Sequence, residues 1–172
     1  MLIYPAEYSL DPKDGYPREE DFTVCRRETG MGVGVYTKKD ISRGDLVARI
    51  TGNIVPNISQ HTLQITPTTH LYDSYFTGYL LHSCSPNVHL DMTEFELWAL
   101  RDIRAGQALT MDYASTEDIL FKQFPCLCGT PNCRVWITGR KEEVSEEGLV
   151  YIQQQLEYLG RESCEIVTVA TS

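Results

Sequence analysis

The sequence lacks long apolar runs and is poor in basic residues. No apolar stretch approaches the roughly 18 residues needed to cross a bilayer, and the N-terminus lacks the basic start and apolar core of a secretory signal. We therefore expect an intracellular, soluble protein, cytoplasmic or nuclear, that does not bind a membrane. Lysine and arginine number 15 against 24 aspartate and glutamate residues, a net charge of -9 at pH 7. This balance argues against direct nucleic-acid binding and favours a basic partner, unless the charge only maintains solubility.

The sequence also lacks a C-x-x-C pair, which makes a redox site less favoured than metal binding. Three of its six cysteines lie in one tight C-x-C-x4-C cluster at residues 126–133. A closed structural zinc site takes four ligands, and Cys84 is the best candidate for the fourth. The predicted ligands of one structural zinc ion are Cys84, Cys126, Cys128 and Cys133. Cys25 and Cys164 would then be free thiols.

The sequence pattern along the chain is typical of short strands. With 172 residues it fits one domain of ordinary size. Alternating segments separated by glycine-containing turns predict a mostly β protein with short helices. These segments are residues 22–26, 35–37, 46–50, 52–55, 96–100 and 108–113. Between residues 139 and 160, acidic residues precede Leu149, Ile152, Leu156 and Leu159, a spacing that predicts an amphipathic C-terminal helix. This helix either packs on the domain or docks a partner.

Three separated segments resemble one family. They are residues 30–36 (GMGVGVY), 82–87 (HSCSPN) and 109–113 (LTMDY), the last followed by the cysteine cluster. In this order they resemble SET-domain lysine methyltransferases with a post-SET zinc segment, over about residues 22–140. The resemblance implies a lead-in at 1–21, a SET domain at 22–118, a post-SET zinc segment at 119–140 and a C-terminal helix and tail at 141–172.

The resemblance also implies a fold and an activity. The fold is a set of small curved β-sheets around a pseudoknot, in which the His82 segment passes beneath a loop near Tyr113. Family members bind S-adenosylmethionine on one face and admit a lysine side chain from the other. The implied activity is S-adenosylmethionine-dependent methyl transfer to the ε-amine of lysine in a protein, either histone or nonhistone. A basic substrate such as a histone tail suits the acidic chain.

The family pattern assigns roles to individual residues. Tyr113 matches the catalytic tyrosine, which orients the amine. The residues implied to bind the cofactor are Met31, Gly32, Val33, Tyr79, Leu81, His82 and Leu127. Trp136 is a further candidate for the wall that covers the site.

The chain departs from the family pattern at three informative positions. Leu81 stands where the family usually has asparagine, so one amide contact to the cofactor is lost. Met111 stands where many relatives carry Phe or Tyr, which leaves mono-, di- or trimethylation open. Val135 follows the Cys-Arg pair where glycine is common, so the backbone leaving the cysteine cluster is less secure.

Two alternative functions remain open. One is a catalytically weak or inactive SET module that acts as a zinc-stabilised binding protein, which Leu81 supports and Tyr113 opposes. The other is a methyltransferase for a small-molecule amine. The segment between Val55 and Gly78, which helps to select substrate in the family, resembles no pattern that we can interpret.

Overall fold

The computed structural model describes residues 1–27 and 32–168, with side chains described up to residue 159. Met31 and part of the predicted glycine-rich turn lie outside the described residues. Within that part of the chain the strands are β1 (Phe22–Arg26), β2 (Val33–Thr37), β3 (Leu46–Arg49), β4 (Asn53–Val55), β5 (Thr62–Thr66), β6 (Thr69–Tyr72), β7 (Leu81–His82), β8 (Val88–Asp91), β9 (Glu96–Ala99), β10 (Thr110–Met111), β11 (Phe124–Pro125) and β12 (Trp136–Ile137). Three 3-10 helices, Ala6–Tyr8, Thr77–Tyr79 and Tyr113–Ser115, and one α-helix, α1 (Glu146–Thr168), complete the described elements.

The strands form small separate sheets. Strands β3, β9 and β8 make one three-stranded antiparallel sheet, and β4, β6 and β5 make another. The pairs β1–β2 and β11–β12 are antiparallel, whereas β7 and β10 are parallel. The expectation of a mostly β protein with short helices is therefore confirmed. Strands β5 and β6 lie in the segment for which the sequence offered no interpretation.

The parallel pair β7–β10 joins two of the sequence motifs. Leu81 lies opposite Thr110, and His82 lies opposite Met111. The ladder continues beyond the strands, because the Ser83 N–H donates to the Met111 carbonyl at 3.0 Å. The carboxyl ends of parallel strands meet at the same edge, so the residues that follow β7 and those that follow β10 emerge together. Cys84 follows the first strand and Tyr113 follows the second.

Two apolar clusters meet at this edge. The larger cluster is built from the inward residues of the sheets, including Val35, Leu97 and Leu109, which are completely buried. The smaller cluster contains Leu120, Cys126 and Ile137. The Tyr113 ring packs against both clusters, so it closes the junction between the sheets of the larger cluster and the cysteine-rich segment. Tyr4 of the lead-in also belongs to the larger core.

A fully buried carboxylate, Asp73, shapes the segment that leads into β7. It accepts hydrogen bonds from the backbone N–H groups of Tyr75 (2.9 Å), Phe76 (3.0 Å) and Thr77 (2.7 Å). The Thr77 hydroxyl and the Tyr4 hydroxyl also donate to it. Because charge-assisted bonds to several donors offset the cost of burying a carboxylate, Asp73 fixes the course of residues 73–80.

The predicted C-terminal helix is present, and its beginning packs on the domain. The Tyr151 ring lies 5.6 Å from the Trp136 ring. Gly148 allows this approach, because a Cβ at that position would lie 2.4 Å from the indole nitrogen of Trp136. Leu149 and Leu156 are 58% and 60% exposed, so part of the apolar stripe faces away from the domain. No helix among the described residues combines the length and apolar character needed to span a membrane.

We predict that Asp73→Asn destabilises the protein by about 2–4 kcal/mol, because the amide keeps one acceptor oxygen and turns its N–H2 group toward donors. Urea denaturation followed by circular dichroism measures this change. Asp91→Asn is the matched control, since Asp91 accepts two backbone bonds in an exposed turn, and we expect a much smaller loss there. Equal stability losses in the two variants would contradict the role given to Asp73.

Candidate active site and metal centre

The four predicted zinc ligands are brought together. The sulfurs of Cys84, Cys126, Cys128 and Cys133 all lie within 4.8 Å of one another. The Cys84 and Cys126 sulfurs are 3.8 Å apart, and a tetrahedron with Zn–S bonds of about 2.3 Å has edges of about 3.8 Å. The donor set and its spacing therefore fit one zinc ion. Four thiolates fill the coordination shell, so such an ion is structural.

Backbone and hydroxyl donors surround these sulfurs. The Arg134 N–H donates to the Cys84 sulfur at 3.3 Å, and the Val135 N–H donates to the Cys133 sulfur at 3.4 Å. The Thr130 hydroxyl lies 3.1 Å from the Cys128 sulfur. Donors of this kind stabilise thiolates and orient them toward a metal. The same turn shows why glycine is common at position 135, since Val135 adopts a φ of 69°, the left-handed conformation that glycine tolerates best and β-branched residues rarely adopt.

Tyr113 is held by its hydroxyl and by its ring. The hydroxyl donates to the Leu80 carbonyl at 2.7 Å. The ring meets those of His82 and Phe124 edge-on, with centroids 5.2 Å and 5.8 Å away. Burial, with a smaller contribution from the charge of Glu117, raises the pKa of Tyr113 to about 12. The phenol is therefore a neutral hydroxyl at physiological pH.

His82 links the tyrosine to the metal centre. Its Nδ1 accepts the Tyr113 backbone N–H at 3.3 Å, and its Nε2 lies 3.5 Å from the Cys84 sulfur. Burial, aided by the Arg134 charge and opposed by that of Asp112, lowers the pKa of His82 to about 4. The imidazole is therefore neutral, with Nδ1 as a hydrogen-bond acceptor.

Two cavities meet at Tyr113. One has a volume of about 640 Å³ and the other about 150 Å³. Leu81, Tyr113 and Phe124 line both cavities. The predicted cofactor residues are divided between them: Gly32, Val33 and Tyr79 line the larger, His82 and Leu127 the smaller, and Leu81 both. Trp136 is absent from the lining of either cavity in the described part of the chain, and it anchors the helix instead.

Leu81 is accommodated by a neighbouring glycine. The Leu81 side chain is 6% exposed, and a Cβ built on Gly34 would lie 2.7 Å from its Cδ1. The missing Cβ of Gly34 thus makes room for a branched apolar side chain. The wall shared by the two cavities consequently presents methyl groups where the family usually presents an amide.

Several residues of the site escaped the sequence analysis. Phe124 stands two residues before the cysteine cluster, a position that could have marked it as a wall residue. His61 lines the larger cavity, with its Nδ1 2.8 Å from the Gly78 carbonyl and its ring 4.5 Å from that of Tyr79. Glu117 lines the same cavity. Neither His61 nor Glu117 carries a local sequence signal that distinguishes it from a surface residue.

Comparison with known proteins assigns the family. The SET domain family model matches residues 32–114. Methyltransferase flvH of Aspergillus flavus is 34% identical over 126 residues, which cover 72% of this chain and 71% of that protein. The chain therefore belongs to the SET-domain family, and the resemblance seen in the sequence is confirmed.

Other relatives are much longer. The human "Histone-lysine N-methyltransferase, H3 lysine-36 specific" is 26% identical over 168 residues, which cover 77% of this chain and only 6% of that protein. The structure of KRYPTONITE in complex with mCHG DNA and SAH has a TM-score of 0.57 and 25% identity, covering 70% of this chain and 29% of that one. A second KRYPTONITE structure, which also contains an H3(1-15) peptide, has a TM-score of 0.52.

We predict that the protein binds one zinc ion and that its affinity falls with acidification. Burial raises the pKa of the Cys126 and Cys133 thiols. Ligation requires the thiolate forms, so binding is strongest at high pH and should weaken by at least about tenfold for each pH unit lowered. Native mass spectrometry counts the zinc, and competition with a chromogenic chelator between pH 6 and 8 measures the affinity.

Serine variants supply the control for the metal assignment. Cys126→Ser should lose tight zinc binding, whereas Cys25→Ser should retain it, because Cys25 lies on β1 outside the cluster. A wild-type mass without zinc, or equal zinc affinity in the two variants, would refute the assignment.

Proposed function

We propose that this protein transfers a methyl group from S-adenosylmethionine to the ε-amine of lysine in a protein substrate, with Tyr113 as the catalytic residue. The observation that carries the proposal is the neutral phenol of Tyr113, held by the Leu80 carbonyl where two cavities meet. Membership of the SET-domain family and the SAH in the related KRYPTONITE structures support it.

The larger cavity fits a cofactor of the size of S-adenosylmethionine. Its volume of about 640 Å³ lies within the range of about 300–1,000 Å³ usual for small-molecule sites. Gly32 has a φ of 90° and open space where a Cβ would stand, so its main chain can approach a ligand closely. We assign cofactor binding to Gly32, Val33, Tyr79, Leu81, His82 and Leu127, and keep Met31 as a prediction outside the described residues. When bound, S-adenosylmethionine supplies a methyl group on a positively charged sulfur.

The chain's own residues then align the amine and exclude water. The Tyr113 hydroxyl donates to Leu80, which leaves its oxygen lone pairs free to accept an N–H of the amine. Its raised pKa makes it an orienting group rather than a base. Leu81, Met111 and Phe124 give the cavity apolar walls. A lysine amine costs roughly 4–5 kcal/mol to deprotonate at pH 7, and desolvation by such walls lowers this cost.

Leu81 weakens cofactor binding without abolishing it in this proposal. The lost hydrogen bond is worth roughly 1–3 kcal/mol, whereas micromolar binding corresponds to about -8 kcal/mol. The loss at Leu81 is therefore too small to favour an inactive module over a functional enzyme of modest cofactor affinity.

The substrate is proposed to be a protein or peptide. One KRYPTONITE complex contains an H3 peptide, and several relatives are named histone-lysine methyltransferases. A basic segment such as a histone tail suits the net charge of -9, and a lysine-rich nonhistone protein satisfies the same chemistry. KRYPTONITE is also bound to DNA in these structures, but the acidity of this chain disfavours phosphate contacts. We propose a cytoplasmic or nuclear setting on the same grounds.

We predict that Tyr113→Phe lowers methyl transfer by about 100-fold or more, because the amine loses the group that aligns it. The assay follows transfer of labelled methyl groups to histones and to a proteome extract. Tyr72→Phe is the matched control, since Tyr72 lies on β6 and is absent from the described lining of both cavities. Unchanged turnover in folded Tyr113→Phe would remove Tyr113 from the mechanism.

Calorimetry with S-adenosylmethionine separates the competing functions. If the protein binds S-adenosylmethionine and methylates free amines but no protein, the small-molecule alternative is favoured. Absence of binding would favour the inactive module.

We also predict that the transfer rate rises with pH between 7 and 9. The neutral fraction of a lysine amine increases about tenfold per pH unit below its pKa of about 10.4. The phenol of Tyr113, with a pKa of about 12, stays protonated over this range and adds no falling limb. Single-turnover rates at saturating cofactor test this, and a decline above pH 8 in folded protein would contradict it.

A further inference from the structure

Glu117 is a buried carboxylate with one oxygen open to the larger cavity. The residue is 6% exposed. Its Oε1 accepts the backbone N–H of Gln64 at 2.9 Å and the Thr116 hydroxyl at 3.0 Å. Oε2 accepts no hydrogen bond from the described residues, and it is not fully buried. Glu117 lines the larger cavity, and because both of its hydrogen bonds are at Oε1, Oε2 is the oxygen available to a ligand.

The charge of Glu117 has no cationic partner among the described residues. The adjacent Asp118 forms ion pairs with Arg140 and Lys141, whereas Glu117 forms none. Arg26 and Lys122 also line the cavity without pairing to it. Burying a carboxylate without an ion pair is costly, and burial raises the pKa of Glu117, although the Gln64 and Thr116 hydrogen bonds and the Arg140 charge oppose this rise. A cation in the cavity, whether the sulfonium of the cofactor or the amine of a substrate, would lower this cost, and S-adenosylhomocysteine, which has no sulfonium, leaves only the amine.

Glu117 lies next to the reacting end of the site. Its backbone N–H donates to the Tyr113 carbonyl at 2.9 Å, which places Glu117 one helical turn after Tyr113. Both side chains line the same cavity. A cation held by Glu117 would therefore stand in the compartment that contains the Tyr113 hydroxyl.

We propose that Glu117 is a specificity-determining residue whose carboxylate binds the protonated amine of the incoming substrate, so that the site selects alkylammonium groups, the lysine side chain foremost, over neutral side chains. This inference rests on the proposed function and names how the same site recruits its substrate. A carboxylate favours the charged form of an amine, so Glu117 acts in binding, and the amine releases its proton to water before transfer. The effect therefore falls on KM more than on kcat.

The test uses Glu117→Gln, which preserves shape and keeps an oxygen to accept the bonds from Gln64 and Thr116. Glu94→Gln is the matched control, because Glu94 is exposed and outside the described cavity lining. The probes are capped Gly-Gly-Lys-Gly-Gly and the same peptide with norleucine for lysine. Binding to the full chain with S-adenosylhomocysteine is measured by NMR titration, and KM and kcat are measured with the lysine peptide.

Wild type and Glu94→Gln should bind the lysine peptide about 10- to 100-fold more tightly than the norleucine peptide. Glu117→Gln should lose this preference and raise KM by a similar factor, while kcat should stay the same or rise, because the carboxylate holds the charged amine and not the neutral amine that reacts. Equal binding of both peptides by wild type overturns the inference without any variant. A drop in kcat alone also overturns it, because Glu117 would then act through Tyr113.

The two proposals fail in different ways. Lysine preference without methyl transfer leaves the role of Glu117 intact and removes the proposed function. Transfer by a wild type that binds the two peptides equally does the reverse.

Discussion

The rest of the site depends on the parallel pairing of β7 with β10. Two short strands, distant in sequence, run in the same direction, so the chain leaves both at one edge. One strand delivers Cys84 to the later cysteines, and the other delivers Tyr113 to the cavity wall. His82 connects the two by contacting the Tyr113 backbone and the Cys84 sulfur. A metal at the cysteines would therefore stabilise the same few residues that position the phenol, which couples the folding of the C-terminal segment to the geometry of the site.

Two buried carboxylates near the site have opposite environments. Asp73 receives five hydrogen bonds from its surroundings and fixes the backbone that leads to Leu80. Glu117 receives two at one oxygen and keeps the other open. A carboxylate that is completely satisfied can only stabilise structure, whereas one with an open oxygen and no ion pair can bind something new. This difference separates a structural role from a recognition role more clearly than burial does.

The fold accommodates two of the three departures from the family pattern, those at Leu81 and Val135. Leu81 uses the space left by the missing Cβ of Gly34, and Val135 accepts a left-handed backbone that lets its N–H reach the Cys133 sulfur. The fold thus tolerates both changes while the four sulfurs stay together. The change at Leu81 alters the chemistry of the site, since it makes the shared wall of the two cavities more apolar. The expected consequence is weaker cofactor binding within an otherwise ordinary SET-domain site.

The sequence by itself determined strands β1 to β4, β9 and β10, the C-terminal helix, the family and the four clustered cysteines. The strands and the helix follow from local periodicity, the family from three ordered motifs, and the cysteines from the four ligands that a closed zinc site takes. Only the tertiary structure decided the rest. Strands β5 and β6 and the open carboxylate of Glu117 depend on contacts such as that from Gln64 to Glu117, 53 residues apart. The exposure of the apolar stripe of α1 was also decided by the tertiary structure, since periodicity predicts a helix but not which of its residues pack on the domain. A charged residue such as Glu117 acquires its role only when distant segments bury it, and local sequence patterns do not predict that burial.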